Sequence, residues 1–180
     1  MTTAEAKLVT WSDFEQLDSP GNGEKLELHD GEVVLRMPPA TPRHLKICER
    51  ITALLRRAYP TLEVHREFPY RPSPDLQFWY ADVAAATKEH WNHTQDTDTW
   101  VPGLVPKIIV EVLSPSNRAA KIAQQRVLAL SGGCREFWQV EPDEQRIFIT
   151  TADGVTHIYS REDELLGEAV ADLFVSTQTN

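Results

Sequence analysis

In the sequence KIIVEVL at residues 107–113, the residues after Lys107 form an apolar run that only Glu111 interrupts. Such a run is typical of a strand buried on both faces of a sheet. The break Ser114-Pro115-Ser116-Asn117 has helix-capping chemistry, and a helix is predicted from Arg118 to Leu130 with Gly132-Gly133 after its end. The run CREFWQV at 134–140 predicts a second apolar strand. Strand, helix and strand in this order indicate a sheet covered by helices.

Hairpins are predicted on both sides of this centre. Asp30-Gly31 suits a two-residue type I′ turn between strands at 25–29 and 32–36, and Ala152-Asp153-Gly154 joins strands at 146–151 and 155–159. A helix is predicted from Arg43 to Tyr59 on the apolar stripe Leu45, Cys48, Ile51, Leu55 and Ala58. Strands are predicted at 62–68 and 78–86, and a long polar connection at 87–106. The predicted class is α/β or α+β, with one mixed sheet flanked by helices and terminal hairpins.

Length and composition fit one globular domain. The chain has 180 residues, 41% of them hydrophobic and 25% charged, which excludes a disordered or fibrous chain. We expect a single domain over 1–180, with a core at about 9–175 and a loose tail at 176–180. No apolar stretch approaches the roughly 18 residues of a membrane span, and residues 1–7 show no secretory signal. We therefore expect a cytoplasmic protein without membrane contact, with Cys48 and Cys134 reduced.

The charge is distributed unevenly along the chain. The net charge of −9 argues against a general nucleic-acid binder. Residues 36–71 nevertheless hold eight basic and three acidic residues, a net +5, and residues 106–135 hold five and one, a net +4. Arg43, Lys46, Arg50 and Arg57 follow one side of the first long helix, and Arg118, Lys121 and Gln125 follow one side of the second. These stripes are either solvated helix faces or phosphate-binding surfaces.

Asp82 and Glu111 are the candidate functional pair, since each is a carboxylate inside an apolar strand. A buried charge is costly unless it is paired or ligates a metal, and two such carboxylates on neighbouring strands would suit Mg²⁺. The alternative is that each lies at a strand end, solvated or salt-bridged. Periodicity assigns Glu27 to a solvated strand face. His90 and His93 match no zinc motif, so the segment around them is predicted to be an exposed polar loop.

Five blocks of the sequence resemble the Uma-two family of restriction-endonuclease-like proteins, within the PD-(D/E)XK nuclease superfamily. The blocks are LELHDGEV at 26–33, Pro38-Pro39 through Arg43-His44, ADVA at 81–84, IVEVLSPS at 109–116 and GCREFWQVEP at 133–142. They occur in the family's order and span about residues 9–175. The resemblance implies a restriction-endonuclease-like core and Mg²⁺-dependent hydrolysis of DNA phosphodiesters, with Mn²⁺ as a substitute ion.

The resemblance also implies roles for particular residues. Asp82 and Glu111 would bind the metal, with the carbonyl of Val112 as a further ligand. Lys121 and Gln125 on the second long helix are the remaining catalytic candidates. Substrate contacts are expected from residues of the first block, of the first basic helix and of the start of the second: Glu27, Arg43, His44, Lys46, Arg50 and Arg118. A homodimer is expected because related nucleases pair to cut two strands.

The sequence departs from the family on the second helix. Aligned on Ser116-Asn117-Arg118, the family's aspartate, lysine and tyrosine fall on Lys121, Gln125 and Ala129. Glutamine carries no charge and stabilises a developing phosphorane poorly, whereas Lys121 lies one turn earlier on the same face. Two functions follow: an active endonuclease with Lys121 as a relocated cation, or an impaired nuclease fold that acts as a nucleic-acid-binding or assembly module.

Overall fold

A computed structural model describes residues 8–18, 20–21, 23–36, 41–73, 75–97, 103–113 and 119–160. Four helices are present in these ranges: α1 Trp11–Phe14, α2 Pro42–Ala58, α3 Lys88–Thr97 and α4 Ala119–Ser131. Eight strands accompany them: β1 Lys25–His29, β2 Glu32–Arg36, β3 Leu62–Tyr70, β4 Gln77–Thr87, β5 Ile108–Val112, β6 Glu136–Glu141, β7 Arg146–Thr151 and β8 Thr156–Ser160. Pro38-Pro39, the break at 114–117, Arg118 and the tail at 176–180 lie outside the described residues.

The strands form one mixed sheet in the order β2-β1-β4-β5-β6-β7-β8, with β3 paired to β4 in addition. All pairs are antiparallel except β5 with β6, which are parallel and joined by α4. The prediction of a mixed sheet with flanking helices and terminal hairpins is confirmed. No helix in the described ranges is both long and apolar enough to cross a membrane.

Helices cover both faces of the sheet because the apolar strands are buried on both sides. Alternate residues of β5 divide between two cores: Val110 packs with Ile51 and Leu55 of α2, while Ile109 packs with Ile122 of α4. All five residues of β5 are buried, as its continuous apolar run predicts. Glu111 is therefore carried into the interior between two well-packed layers.

Two sequence predictions about helices are wrong. Leu45 was expected in the apolar stripe of α2 but is exposed, and Ile47 is buried instead. The segment expected as a polar loop contains α3, which buries His90 and Thr94, four residues apart. Its inward face is polar, so hydrophobic periodicity gave no helical signal. Burial, together with the charges of Lys107 and His93, lowers the pKa of His90 to about 4.

The first hairpin depends on Asp30 and Gly31, which have φ angles of 49° and 80°. Positive φ at both central residues is what a type I′ turn requires. We expect Gly31→Ala to reduce the free energy of unfolding by about 2–3 kcal/mol, since an added Cβ combines unfavourable φ with a contact 2.8 Å from the Leu8 Cβ. Gly154→Ala is the control, because φ is 82° there and no atom lies within 4 Å. Equal losses in urea unfolding would contradict the steric part of this prediction.

Candidate functional site

Asp82 lies where the regular alternation of β4 is interrupted. Ala81 and Ala84 pack in the same core although they are three residues apart, while Val83 packs in the opposite one. A regular strand alternates with a period of two, so the chain is irregular at Asp82 and Val83. On the paired strand β3, Glu67 occupies the facing position with a φ of 52°. The irregularity directs Asp82 toward α2 at the level of the end of β5.

Both carboxylate oxygens of Asp82 have partners. Oδ2 accepts a hydrogen bond from the backbone N–H of Val112 at 2.7 Å. Oδ1 accepts one from Nη2 of Arg36 at 2.5 Å, and Nε2 of His44 lies 3.5 Å from the same oxygen. Asp82 therefore links β4, the end of β5, β2 and α2.

Glu111 lies beside Asp82 and is poorly satisfied. The antiparallel register pairs Val83 with Val110, so Asp82 and Glu111 are the next residues across from each other. The Glu111 side chain is buried, and its Oε1 has no hydrogen-bond partner among the described residues. Burial and then the charge of Asp82 raise the pKa of Glu111 well above its usual range. A cation at this carboxylate would supply the interaction that the described residues leave unmade.

Glu27 is the centre of a hydrogen-bond network, not a solvated residue as periodicity predicted. It is fully buried, and its Oε1 accepts from the backbone N–H of Tyr80 and from Nη1 of Arg36, each at 3.1 Å. Its Oε2 contacts Nε2 of His29 at 2.8 Å and Nζ of Lys121 at 3.0 Å. Burial alone would raise the pKa of Glu27, but these partners outweigh it and lower the pKa to about 2.

Arg36 joins the two carboxylates and was missed by the sequence predictions. Its guanidinium donates to Glu27, to Asp82 and to the backbone carbonyl of Tyr80. Burial disfavours the charged form, but Asp82, Glu111 and Glu27 outweigh that effect and raise its pKa. A signal was available, because the register of the first hairpin pairs Arg36 with Lys25 and so places it on the same face as Glu27. That register follows from the Asp30-Gly31 turn.

Helix α4 contributes Lys121 and Gln125. Lys121 is partly exposed and bonds Glu27, so its ammonium does reach the acidic cluster, which consists of Glu27, Asp82 and Glu111. Gln125 is 2% exposed and lies inside the fold, with its Oε1 unpaired among the described residues. The side chain that the family resemblance aligns with a lysine is therefore a buried, uncharged amide.

The predicted substrate-contacting residues of α2 do not all reach the cluster. His44 does, through Asp82, whereas Arg43 pairs with Asp143 at 2.8 Å in the turn after β6. Lys46 and Arg50 are partly buried along α2. The basic stripe thus forms a surface next to the acidic cluster, with one end tied to the β6–β7 turn.

A cleft of about 730 Å³ lies between α2 and β3, and Asp82 forms part of its wall. Its lining includes both basic and acidic side chains: His44, Arg56, His65, Arg66, Glu49 and Glu67. Some of these are already paired, since Arg66 lies 3.3 Å from Glu49. The cleft gives a polar ligand a route to the Asp82 carboxylate.

The side chains around Asp82 and Glu111 fit the divalent cation that the family resemblance implies only in part. In the described part of the chain, no group of three or more His, Cys, Asp and Glu side chains has metal-holding geometry. The third carboxylate, Glu27, is already engaged by four donors. The Glu111 oxygen that has no partner among the described residues suits a hard cation, so Glu111 and Asp82 are the carboxylates that would hold one.

A mixed sheet with helices on both faces and acidic residues on adjacent central strands defines a restriction-endonuclease-like fold. Residues 11–177 match the family model described as "Uma2: Putative restriction endonuclease", and the chain belongs to this family. It is similar to a solved structure, the crystal structure of a putative nuclease belonging to DUF820 from Anabaena variabilis, with a TM-score of 0.73. The two are 17% identical, with 92% of this chain and 97% of that one covered, which supports the fold. No curated protein matches the chain.

Proposed function

We propose that the protein is an Mg²⁺-dependent endonuclease that hydrolyses DNA phosphodiester bonds, with Asp82 and Glu111 as its metal-binding carboxylates. One observation carries the proposal: the Oε1 of Glu111 is buried without a partner among the described residues, on the strand next to the one that carries Asp82. An unpaired buried carboxylate costs several kcal/mol in a folded protein, roughly what burying any uncompensated charge costs. A cation bound to Glu111 would supply the missing partner, so metal binding explains why this carboxylate is buried.

The chemistry divides between the ion and the protein's own groups. Asp82 and Glu111 would hold Mg²⁺, or Mn²⁺ in its place, with the Val112 carbonyl as the further ligand that the family resemblance implies. The ion would supply polarisation of the phosphate and a lowered pKa of the attacking water. Lys121, held 3.0 Å from Glu27, supplies positive charge beside the cluster for the phosphate oxygens. His44 lies 3.5 Å from Asp82 and lines the cleft with it, where it would orient the substrate.

DNA is proposed as the substrate because positive charge is concentrated on the elements around the cluster. Residues 36–71, which contain α2 and β3 on the two sides of the cleft, carry a net +5, and residues 106–135 carry a net +4. Such segments bind phosphates even in a chain whose total charge is negative. A homodimer in the cytoplasm is part of the proposal, since two copies would present two sites to the two strands.

The test is nicking of a supercoiled plasmid with Mg²⁺ or Mn²⁺, with and without EDTA. We expect nicking by the wild type, loss in EDTA, and loss in Asp82→Asn purified identically. Glu63→Gln, which removes a carboxylate on β3 opposite Ala86, four residues along β4 from Asp82, is the matched control and should retain activity. Nicking that persists in both EDTA and Asp82→Asn would refute the proposed site.

A nuclease fold that binds or assembles without cutting is the second candidate. It is favoured by the uncharged, buried Gln125 and by the ion pair of Asp82 with Arg36. The Gln125→Lys variant separates the two candidates in the same assay. Nicking by Gln125→Lys alone, with none by the wild type, would support the non-cutting module, whereas equal nicking would support Lys121 as the relocated cation.

A further inference from the structure

Three carboxylates, Glu27, Asp82 and Glu111, converge at the cluster, and one guanidinium acts on all three. Arg36 donates to Asp82 at 2.5 Å and to Glu27 at 3.1 Å. It also acts electrostatically on Glu111, although no hydrogen bond joins them. Its side chain is only 17% exposed, so solvent screens these interactions weakly. Arg36 therefore provides, without any metal, much of the positive charge that the acidic residues need.

We propose that Arg36 is a built-in counter-ion that competes with the divalent cation for Asp82 and so sets the metal affinity of the site. The inference rests on the proposed function, because it takes Asp82 and Glu111 as the metal ligands. Arg36 then has a positioning role. It holds the carboxylates of Glu27 and Asp82 together before the ion binds, and it releases Asp82 when the ion binds.

The hydrogen bonds of Asp82 make the competition specific. Oδ2 accepts from the Val112 N–H, whereas Oδ1 accepts from Nη2 of Arg36 and lies 3.5 Å from Nε2 of His44. A carboxylate oxygen can accept a hydrogen bond and coordinate an ion together, but an ion at Asp82 would lie within a few ångströms of the Arg36 guanidinium, and the two positive charges repel. Arg36 therefore opposes binding, and binding is favoured when Nη2 moves away from Asp82.

Arg36 can release Asp82 without leaving the cluster. Its other terminal nitrogen, Nη1, bonds both Glu27 and the backbone carbonyl of Tyr80. These contacts anchor the guanidinium while Nη2 moves. Lys121 remains on the opposite oxygen of Glu27, so the third carboxylate stays neutralised throughout.

The experiment measures Mn²⁺ affinity by calorimetry and by the spin-resonance signal of free Mn²⁺, independently of cleavage. We expect Arg36→Met to bind Mn²⁺ at least tenfold more tightly than the wild type. Its metal-free melting temperature should be lower, and saturating Mn²⁺ should raise it more than in the wild type. Arg146→Met is the control, because that strand arginine pairs with Glu141 on the surface and should leave Mn²⁺ affinity unchanged.

The outcomes are distinguishable. Equal affinities in the wild type and Arg36→Met would overturn the competition while leaving the metal site intact. No Mn²⁺ binding by either protein would overturn the metal site itself, and the inference with it. A tighter affinity that disappears in Arg36→Met/Glu111→Gln would locate the ion at the proposed ligands.

A second variant covers failure of Arg36→Met to fold. Arg36→Lys keeps the charge but cannot bridge Asp82 and Glu27 at once, because an ammonium lacks the planar fork of a guanidinium. We expect severalfold tighter Mn²⁺ binding from it, and an unchanged affinity would overturn the proposal.

Discussion

Glu111→Gln is expected to reduce Mg²⁺-dependent plasmid nicking at least about a hundredfold, because a neutral amide replaces a metal-binding carboxylate. The same change should leave the fold at least as stable as the wild type. Glu111 is buried, its Oε1 has no partner among the described residues, and its pKa is raised by burial and by Asp82. Removing that charge should raise the free energy of unfolding by about 1–2 kcal/mol, because unfavourable burial and repulsion are lost. The melting temperature should rise by a few degrees.

The combination of lost activity and retained stability is what distinguishes a functional carboxylate from a structural one. Nicking rates and melting temperatures should be measured together on the wild type, Glu111→Gln and the control Glu63→Gln. A large loss of stability in Glu111→Gln would indicate that the residue holds the sheet together. Retained nicking would remove Glu111 from the proposed metal ligands.

Glu27→Ala is expected to have the largest effect on stability, lowering the free energy of unfolding by about 3–5 kcal/mol. The substitution leaves the Arg36 guanidinium and the Lys121 ammonium without their shared partner, and the Tyr80 N–H without an acceptor. Urea unfolding at neutral pH measures the loss. Glu24→Ala, one residue before β1 and outside this network, is the control and should change stability by less than about 1 kcal/mol.

The contribution of Glu27 should also depend on pH. Its pKa falls from 4.5 to about 2 in the folded protein, so the folded state binds fewer protons than the unfolded state between these values. The stabilisation is therefore complete above pH 4.5 and is lost as the pH falls through 2, with a total of about 3 kcal/mol. The difference in stability between the wild type and Glu27→Gln should narrow over that interval. A difference that stays constant with pH would contradict the ion-pair origin of the low pKa.

Local chemistry explains why much of the fold was predictable. The Asp30-Gly31 dipeptide sets a type I′ turn and with it the whole register of the first hairpin. The apolar run at 107–113 predicted a strand covered on both faces, and every residue of β5 is buried in the structure. Helix α3 was missed because its buried positions are polar, so the period that reveals helices was absent.

Prediction was partial for the candidate site. Asp82 and Glu111 stood out because each carboxylate interrupts an apolar strand, and the β4–β5 register then places them side by side. Glu27 was misassigned because alternation along β1 shows which residues share a face but not which face is covered. The role of Arg36 follows from contacts across 46 residues of chain to Asp82.

The amino-acid sequence by itself determined the turn, the apolar strands, the family to which the chain belongs and the two acidic residues that interrupt those strands. The turn and the strands depend on residues that are close in sequence, because conformational preferences act locally. Tertiary structure alone decided which charges share one enclosed space, since Lys121 meets Glu27 across 94 residues and Arg36 joins β2 to β4. The energy of a buried charge depends on its partners and on the exclusion of water, and both arise only when distant segments pack together.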